Sequence, residues 1–440
     1  MTLIDLTPRV TENDRLSTLP VAIIGAGPIG LAAAAHLVER GIDFLLFESG
    51  GRAGASVRAW GHTRLFSPWK HLVDPASRRL LEARGWELPE PERAPTGTEL
   101  VERYVAPLAE LDEIASRTRL GVQVVAVTRE GMDRTRTRGR ATTPFALRIR
   151  TTDGDVEEVI ARAVIDASGT YLSPNPLSSS GLELLGMSDI ADAVSPALPD
   201  VLGRDRTRFS GRRTTVVGAG HSAANTLLAL VELVRQEPGT SVAWLIRNAQ
   251  AVRVSSSADD ELADRARLGS RVDQAVADGV ITVIDGFEII RARRGPGGER
   301  VELVGHRDGE LVTHVTDVVV NATGFRPDLD MLREIRLELD EIVEAPKRLA
   351  PLIDPNVHSC GTVEPHGFSE LTHPEKGFFI VGMKSYGRAP TFLLATGYEQ
   401  VRSVTAWLAG DLTSASQVEL TLPATGVCST GLGDGDGCCS

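Results

Sequence analysis

One pattern occurs twice in this chain: a short apolar strand, a glycine-rich turn, a helix and a second strand. The first copy begins at Val21, in VAIIGAGPIGLAAAA, and the second begins at Arg213, in RTTVVGAGHSAANT. A continuous apolar strand is typical of a parallel sheet buried on both faces, and the crossover to the next strand is right-handed. The repeat predicts an α/β protein with two Rossmann-like three-layer dinucleotide-binding domains.

The first glycine-rich turn has the pattern G-x-G-x-x-G. In this pattern the first glycine makes the tight turn, the second admits a pyrophosphate, and the third lets the helix pack on the strand. The helix N-terminus favours phosphate because of its unpaired N–H groups and its dipole. An acid at the end of the next strand can hydrogen-bond an adenosine ribose. The predicted cofactor-binding residues here are Gly25, Gly27, Pro28, Gly30, Glu48 and Ser49.

The second turn has Gly218, Gly220 and Ala223, and alanine is an accepted variant at the third position. Ser222 can donate a hydrogen bond to phosphate, whereas His221 is either a phosphate contact or a helix-start residue without that role. Arg247 follows the next strand, where an acid is usual for NAD and a basic group suits a 2′-phosphate. We therefore predict NADPH, although a solvated surface arginine is the alternative at this position.

Charge and apolar patterning exclude some classes of protein. The net charge of -12 argues against a nucleic-acid partner. Residues 21–38 are apolar enough for a membrane span, but their glycines and proline favour strand, turn and helix. Residues 1–20 contain no secretory signal, and the cysteines do not form a secreted disulfide framework. We expect a cytoplasmic protein without a membrane span or a metal site; a homodimer remains open.

Several further segments resemble the FAD-binding half of two-dinucleotide flavoproteins. The run after the second strand matches E-x-G-G-R, and residues 165–169 resemble the short strand that ends in small residues. Residues 318–328, VVVNATGFRPD, resemble the segment that leads back to the flavin domain. Residues 377–401 resemble the C-terminal FAD motif, although Met replaces the usual Asp after its glycine. The resemblance implies cofactor contacts at Arg52, Gly169, Thr323, Gly324, Gly382 and Met383.

Over residues 20–410 the chain resembles the flavin-containing monooxygenase-like superfamily. The resemblance implies that NADPH reduces FAD and that a C4a-hydroperoxyflavin gives one oxygen atom to a small molecule with a soft heteroatom. The segment FSPWKH, residues 66–71, resembles the loop that covers the isoalloxazine ring in N-hydroxylating relatives. Trp69 then either contacts the cofactor or belongs to the core.

The chain departs from that superfamily in its fingerprint before the second glycine turn. Phe209 and Gly211 match the start of the fingerprint, but no histidine follows at the required spacing. The chain also has no C-x-x-C, which disfavours disulfide reductases of the thioredoxin reductase kind. No residue stands out as a general acid or base. The candidates for catalytic positions in the flavin pocket, each with a structural role as the alternative, are Lys70, Lys384, Tyr386 and Arg388.

A narrower resemblance is to flavin-binding monooxygenases encoded in bacterial arsenic-resistance operons. It rests on HSCGTVEPHG, on residues 373–403, and on a tail that ends in GCCS. Trivalent arsenic is thiophilic, so Cys428, Cys438 and Cys439 are candidate metalloid ligands, with a tail of free thiols as the alternative. Two other functions remain open: an NAD(P)H-dependent flavin reductase or oxidase, and a thiol-based metalloid-binding redox sensor.

The order of the motifs predicts how the chain divides into domains. We expect the first part of the FAD-binding domain at residues 1–170 and an NAD(P)-binding domain at residues 171–325. The second part of the FAD-binding domain is then at residues 326–410. A tail that contains cysteines is predicted at residues 411–440.

Overall fold

The computed structural model describes residues 12–248, 263–354, 366–389 and 392–420. All four cysteines lie outside these ranges, so the predictions for Cys428, Cys438 and Cys439 fall on residues that are not described. Within the described ranges, no helix combines the length and apolar character needed to cross a membrane.

The strands form two five-stranded parallel sheets and two three-stranded antiparallel sheets. Their bounds are β1 Val21–Ile24, β2 Phe44–Glu48, β3 Thr118–Leu120, β4 Val122–Arg129, β5 Phe145–Thr151, β6 Val156–Ala161, β7 Ala163–Asp166, β8 Val194–Ser195, β9 Arg213–Val217, β10 Ser241–Leu245, β11 Ile281–Ile284, β12 Glu288–Arg294, β13 Val301–Arg307, β14 Glu310–Thr316, β15 Val318–Asn321 and β16 Phe378–Ile380.

The helices cover the sheets and fill the connections between strands. Their bounds are α1 Glu12–Thr18, α2 Pro28–Glu39, α3 Ala55–Ala59, α4 Pro75–Glu82, α5 Gly97–Leu100, α6 Ala106–Ala109, α7 Asp112–Ala115, α8 Met187–Ile190, α9 Arg206–Phe209, α10 His221–Gln236, α11 Ala263–Ala277, α12 Ala350–Ile353, α13 Leu394–Leu408 and α14 Leu412–Ser416. A π-helical turn, Val101–Val105, joins α5 to α6.

The first sheet has the strand order β16-β7-β1-β2-β3, and all of its pairs are parallel. Strand β16 comes from the far end of the chain and pairs with β7, so distant segments complete one sheet. The second sheet has the order β11-β10-β9-β15-β8, again with parallel pairs. This arrangement confirms the predicted fold, two Rossmann-like units of which the first is discontinuous in sequence.

Each parallel sheet has its own core. In the first core, helix α2 buries the run Ala32–Ala35 completely, and these small side chains allow α2 and α13 to pack closely. In the second core, Phe209, Leu227 and Trp244 are buried between the second sheet and its helices. Burial of this apolar surface is the dominant favourable term in folding.

Two connections join the parts of the chain that form the two sheets, and they are hydrogen-bonded to each other. Residues 172–180 run beside residues 321–327, with an antiparallel bridge between Pro174 and Phe325. The backbone N–H of Asn175 donates to the carbonyl of Gly324 at 2.9 Å. The side chain of Asn321 donates to the carbonyl of Asn175, also at 2.9 Å. The two connections therefore form one short ribbon.

The C-terminal part of the described chain differs from the predicted tail at residues 411–440. Helix α14 packs against α13 and buries Ala415. Arg402 on α13 donates hydrogen bonds to the carbonyls of Ser414, at 2.9 Å, and Gln417. These contacts attach residues 411–420 to the first core, because a buried apolar residue and satisfied carbonyls outweigh the polar composition of this segment.

Candidate functional site

A cavity of about 420 Å³ lies at the carboxyl ends of the strands of the first sheet. In open α/β sheets this edge is where ligands bind, since the turns that follow the strands meet there. The cavity is lined by the turn after β1, the ends of β2 and β7, and the segment after β16. The lining includes Gly25, Gly27, Pro28, Glu48, Ser49, Gly169, Gly382, Met383 and Lys384.

Glycine occupies the three positions of the first turn for different structural reasons. Gly25 has φ +100°, and a Cβ there would lie 2.7 Å from the carbonyl oxygen of Ala167. A Cβ on Gly30 would lie 1.8 Å from the carbonyl oxygen of Gly25, so the close packing of α2 requires this glycine. A Cβ on Gly27 would meet no atom within 4 Å. The fold therefore requires Gly25 and Gly30, whereas the space at Gly27 faces the cavity and suits a bound phosphate.

Glu48 is oriented by the backbone beside the glycine turn. Its Oε2 accepts from the N–H of Ala26 at 2.8 Å, and its Oε1 accepts from the N–H of Gly50 at 2.7 Å. Each carboxylate oxygen has a second lone pair for another donor. Because Glu48 lines the cavity, these lone pairs suit the hydroxyl groups of a ribose.

A buried ion pair forms another part of the cavity wall. Lys384 Nζ lies 2.7 Å from Asp166 Oδ2, and the two side chains are 1% and 0% exposed. Lys384 Nζ also donates to Ser168 Oγ at 3.1 Å. Ser168 Oγ in turn donates to Asp166 Oδ1 at 2.6 Å. Such a pair is retained in a protein interior only when its polar atoms are satisfied, as they are for this carboxylate.

The segment after β16 is fixed by a buried glutamine. Gln400 Oε1 accepts from the N–H of Gly382 at 2.7 Å, and its Nε2 donates to Ser385 Oγ at 2.9 Å. Leu394, the first residue of α13, lines the same cavity. The N-terminus of this fifteen-residue helix thus lies at the cavity, where its dipole favours negative charge.

Two aromatic residues line the cavity near the connections between the sheets. The rings of Tyr171 and Phe325 lie 5.4 Å apart. Burial raises the pKa of the Tyr171 hydroxyl, which therefore stays neutral at pH 7. These rings give this part of the cavity an apolar wall.

The second glycine turn repeats the geometry of the first. Gly218 has φ +125°, and a Cβ there would lie 2.1 Å from the carbonyl oxygen of Ala322. A Cβ on Gly220 would meet no atom within 4 Å. Gly220 precedes α10, and His221 and Ser222 are the first residues of that helix. Trp244 Nε1 donates to the carbonyl of Gly218 at 2.6 Å and holds the turn against β10. The open space at the helix N-terminus again suits a phosphate.

Arg247 lies two residues beyond the end of β10 and is exposed. Its Nη1 donates to the carbonyl of Ser179 at 3.3 Å. The guanidinium group is exposed and has five N–H donors, so it suits an anionic group.

Besides Gly30, Thr323 and Gly324, five residues that were predicted for the flavin site do not line the cavity. Trp69 is completely buried in the first core, so the core alternative describes it. Lys70 is exposed and pairs with Glu92 at 2.7 Å. Both residues belong to the 3₁₀ turn Trp69–His71. The other three are Tyr386, buried in the first core, and the exposed Arg52 and Arg388.

Thr323 and Gly324 also lie away from the cavity lining, in the ribbon that joins the two sheets. Thr323 Oγ1 donates to Asn321 Oδ1 at 2.7 Å, and Asn175 Nδ2 donates to the carbonyl of Thr323 at 3.2 Å. Their immediate contacts are therefore structural.

Sequence reasoning missed several residues that line the cavity or orient the residues lining it. Asp166 reads as the end of an apolar strand, but a buried acid at a strand terminus is a signal for a partner. Ser168 follows it within the ASGT segment. The other missed residues have no clear sequence signal, because they depend on tertiary packing: Tyr171, Phe325 and Gln400.

Comparison with known protein families places the chain. The model of the family described as pyridine nucleotide-disulphide oxidoreductase matches residues 22–359, which include both glycine turns. The chain belongs to the pyridine nucleotide-disulphide oxidoreductase family. This membership makes the protein an FAD- and NAD(P)H-dependent oxidoreductase and agrees with the predicted flavoprotein superfamily. The comparison with curated proteins gives no match.

Solved structures of similar fold include flavoenzymes of two kinds. The bacillithiol disulfide reductase of Bacillus cereus matches with a TM-score of 0.62 and 20% identity, over 89% of this chain and 99% of that chain. The cadaverine monooxygenase of desferrioxamine biosynthesis from Erwinia amylovora, a structure bound to FAD, matches with a TM-score of 0.61 and 14% identity. The match covers 92% of this chain and 98% of that chain. A flavin monooxygenase mutant from Stenotrophomonas maltophilia matches with a TM-score of 0.56 and 22% identity. The match covers 89% of this chain and 99% of that chain. These structures share the fold of this chain.

Proposed function

We propose that this oxidoreductase is an NADPH-dependent FAD monooxygenase that transfers one oxygen atom to a soft heteroatom of a small molecule. The observation that carries the proposal is the pair of matching glycine turns, each with one glycine whose missing side chain leaves open space. One turn serves a resident flavin and the other a nicotinamide cofactor. The resemblance to monooxygenases and the fold shared with two of them support oxygen as the acceptor of the electrons.

The cavity of the first sheet would hold FAD. Gly27 and the N-terminus of α2 would meet the pyrophosphate, and Glu48 would accept hydrogen bonds from the adenosine ribose. The strand order then directs the flavin half toward the ends of β7 and β16, on the other side of β1 from Glu48. The helix dipole of α13 would stabilise negative charge on that half. On this basis the FAD-binding domain comprises residues 1–170 and 326–410.

The second turn would hold NADPH, in a domain of residues 171–325. Gly220 leaves space for the pyrophosphate, and Ser222 can donate to it from the first turn of α10. His221 lies at the same helix N-terminus, and its ring contacts the ring of Phe66. Arg247 would contact the 2′-phosphate that distinguishes NADPH from NADH.

The protein contributes binding, orientation and exclusion of water, while FAD supplies the redox chemistry when it is bound. Tyr171 and Phe325 form an apolar wall that reduces the access of solvent to the cavity. The Gln400 contacts fix the backbone of Gly382, which lines the cavity. Exclusion of water favours transfer of oxygen to the substrate over loss of hydrogen peroxide.

A second candidate function is reduction of an external acceptor. The family description and the fold shared with a bacillithiol disulfide reductase favour it. In this alternative the same two cofactor sites pass electrons to a disulfide or to another acceptor. The cysteines at positions 360, 428, 438 and 439 do not form a C-x-x-C pair, which weighs against a dithiol mechanism of the thioredoxin reductase kind.

Arsenic is our proposal for the soft heteroatom, with sulfur and nitrogen as the other members of the class. It rests on the resemblance to flavoproteins of arsenic-resistance operons and on thiols near the C-terminus that suit trivalent arsenic. Deletion of residues 424–440 tests whether those thiols capture the metalloid. If resistance and activity are unchanged by the deletion, both thiol capture and the sensor alternative fail.

Isotope labelling distinguishes the functions. The purified flavoprotein is supplied with NADPH, ¹⁸O₂ and, in separate reactions, a trivalent arsenical, a thioether and a primary amine. A monooxygenase gives one ¹⁸O atom per product molecule, with one NADPH consumed for each. NADPH consumption with only labelled hydrogen peroxide, or with a reduced disulfide, would favour the oxidase or reductase function instead.

A further inference from the structure

The ion pair of Lys384 and Asp166 has a feature that a purely structural pair does not require. An ammonium group has three N–H donors, and Lys384 Nζ uses two of them, one for Asp166 Oδ2 and one for Ser168 Oγ. No acceptor for the third appears among the described residues. Lys384 and Ser168 both line the cavity, so this donor lies beside the space that a ligand would fill.

The position of the pair in the sheet tells which part of a dinucleotide it meets. Glu48 ends β2, the glycine turn follows β1, and Asp166 ends β7, so these three lie on consecutive strands. Lys384 follows β16, the next strand in the same order. A dinucleotide with its adenosine ribose at Glu48 and its pyrophosphate at Gly27 therefore extends toward Lys384 with its other half.

We propose that Lys384 is a positioning residue for the flavin half of FAD, to which it donates a charged hydrogen bond while Asp166 and Ser168 orient its amine. The acceptor is an oxygen atom of the ribityl chain or of the ring. This inference rests on FAD in the first-sheet cavity, and it assigns Lys384 a cofactor contact in addition to its role as the counter-ion of Asp166.

The structure supplies the reason why the amine stays oriented. Asp166 is 0% exposed, and its Oδ1 is held by the N–H of Ser168 at 3.1 Å and by Ser168 Oγ at 2.6 Å. These contacts orient the carboxylate of Asp166 independently of Lys384. An amine oriented in this way donates to a nearby acceptor with little reorganisation, and its hydrogen bond is stronger in this desolvated site than at a protein surface.

The test uses the flavoprotein with Lys384→Met, the double variant Lys384→Met/Asp166→Asn, and Lys384→Arg as the conservative variant. Removing one partner of a buried pair leaves the other charge uncompensated, so the single variant loses stability that the double variant regains. We expect both Met variants to bind FAD about ten- to a hundredfold more weakly, which is the loss of one charged hydrogen bond. Lys384→Arg should recover part of that affinity.

Two readouts separate a flavin contact from a fold defect. ADP, which lacks the flavin half, is titrated as a competitor of FAD, and its affinity should be unchanged in the double variant. The midpoint potential of the bound flavin should become more negative, by about 30 mV for each tenfold preferential weakening of the reduced form.

The proposal fails if the double variant, folded like the wild type, binds FAD with unchanged affinity and unchanged potential. It also fails if FAD and ADP lose affinity equally, since the contact would then belong to the shared half. If the wild-type protein itself binds no FAD, the assignment of the cavity is at fault instead.

Discussion

The ring of Phe66 lies 5.0 Å from the ring of His221, and the two planes are tilted by 53°. Phe66 belongs to the segment FSPWKH, which lies between α3 and α4 of the first core, whereas His221 begins α10 beside the second sheet. Phe66 also packs against the second core. The segment that the sequence assigns to a flavin-covering loop therefore contacts the candidate phosphate site of the other unit.

Replacement of Phe66 by Ala should weaken NADPH binding and leave FAD binding unchanged. Loss of the aromatic pair costs about 1 kcal/mol, which corresponds to about a fivefold higher Kd for NADPH. The Kd is measured from the NADPH dependence of flavin reduction in anaerobic stopped-flow experiments. Phe66→Leu, which keeps most of the apolar volume, is the control. A fall in FAD affinity with unchanged NADPH affinity would contradict the placement of Phe66 at the nicotinamide site.

Replacement of Arg247 by Glu should reverse the preference between the two nicotinamide cofactors. A charged hydrogen bond to the 2′-phosphate is lost, so kcat/KM for NADPH should fall about tenfold or more, while kcat/KM for NADH is maintained. Arg235 is an exposed arginine on α10 that pairs with Glu232, and Arg235→Glu provides the matched control. An equal effect of both substitutions on NADPH would show that long-range charge, and not a phosphate contact, is responsible.

The glycines of the two turns should separate folding from cofactor binding. Gly27 and Gly220 have extended backbones and open space, so Ala at either position leaves the free energy of unfolding of the cofactor-free protein unchanged. We expect Gly27→Ala to raise the Kd for FAD by about tenfold or more, because the added methyl group occupies the space of the phosphate. Gly220→Ala should raise the Kd for NADPH by a similar factor for the same reason.

Gly30→Ala is the contrasting variant, since its Cβ would lie 1.8 Å from a carbonyl oxygen. This overlap should cost about 3 kcal/mol of stability. Urea unfolding of the cofactor-free variants and FAD titrations measure the two effects separately. A destabilised Gly27→Ala with full FAD affinity would be incompatible with a phosphate at that glycine.

Acid should destabilise the protein through His373. This side chain is 9% exposed, and burial lowers its pKa from 6.5 to about 4. Between these values the unfolded chain binds the proton that the folded protein excludes, so stability falls as the pH falls, by up to about 1.4 kcal/mol per pH unit. The stabilisation is fully present above pH 6.5.

His373→Asn should remove this part of the pH dependence. The Asn side chain can accept from the N–H of Glu338, as His373 Nδ1 does at 3.2 Å, but it does not titrate. Urea unfolding between pH 7 and pH 4 compares the variant with wild type and with His306→Asn, a change at an exposed histidine. Identical pH slopes for the three proteins would rule out the contribution of His373.

The sequence predicted those parts of the fold that are set by local patterns. The strands Val21–Ile24 and Arg213–Val217 begin where the sequence places the two repeated units, because their apolar runs end there at glycine turns. Val156–Ala161 was not predicted as a strand. Its residues Glu157 and Glu158 are exposed, so pairing with β5, rather than hydrophobic patterning, defines it.

The site residues also divide into those placed by a local sequence pattern and those placed by tertiary packing. Gly25, Gly27 and Glu48 lie together because one short βαβ unit places them, and their spacing in sequence determines that geometry. Trp69 and Tyr386 point into the core, although their motifs resemble flavin-contacting segments. The direction of a side chain in a loop depends on what packs around it, and a single sequence does not contain that information.

The ribbon formed by the two connections between the sheets has a mechanical consequence. A single connection would let the second unit rotate about the backbone dihedrals of that segment alone. Because Asn175 is bonded to both Gly324 and Asn321, the two segments share their torsion. The ribbon therefore couples the torsions of the two connections, in addition to the contact that Phe66 makes with the second core. Because Ser173 and Phe325 of this ribbon also line the cavity, a change in its twist would alter the candidate flavin site and the placement of the second unit together.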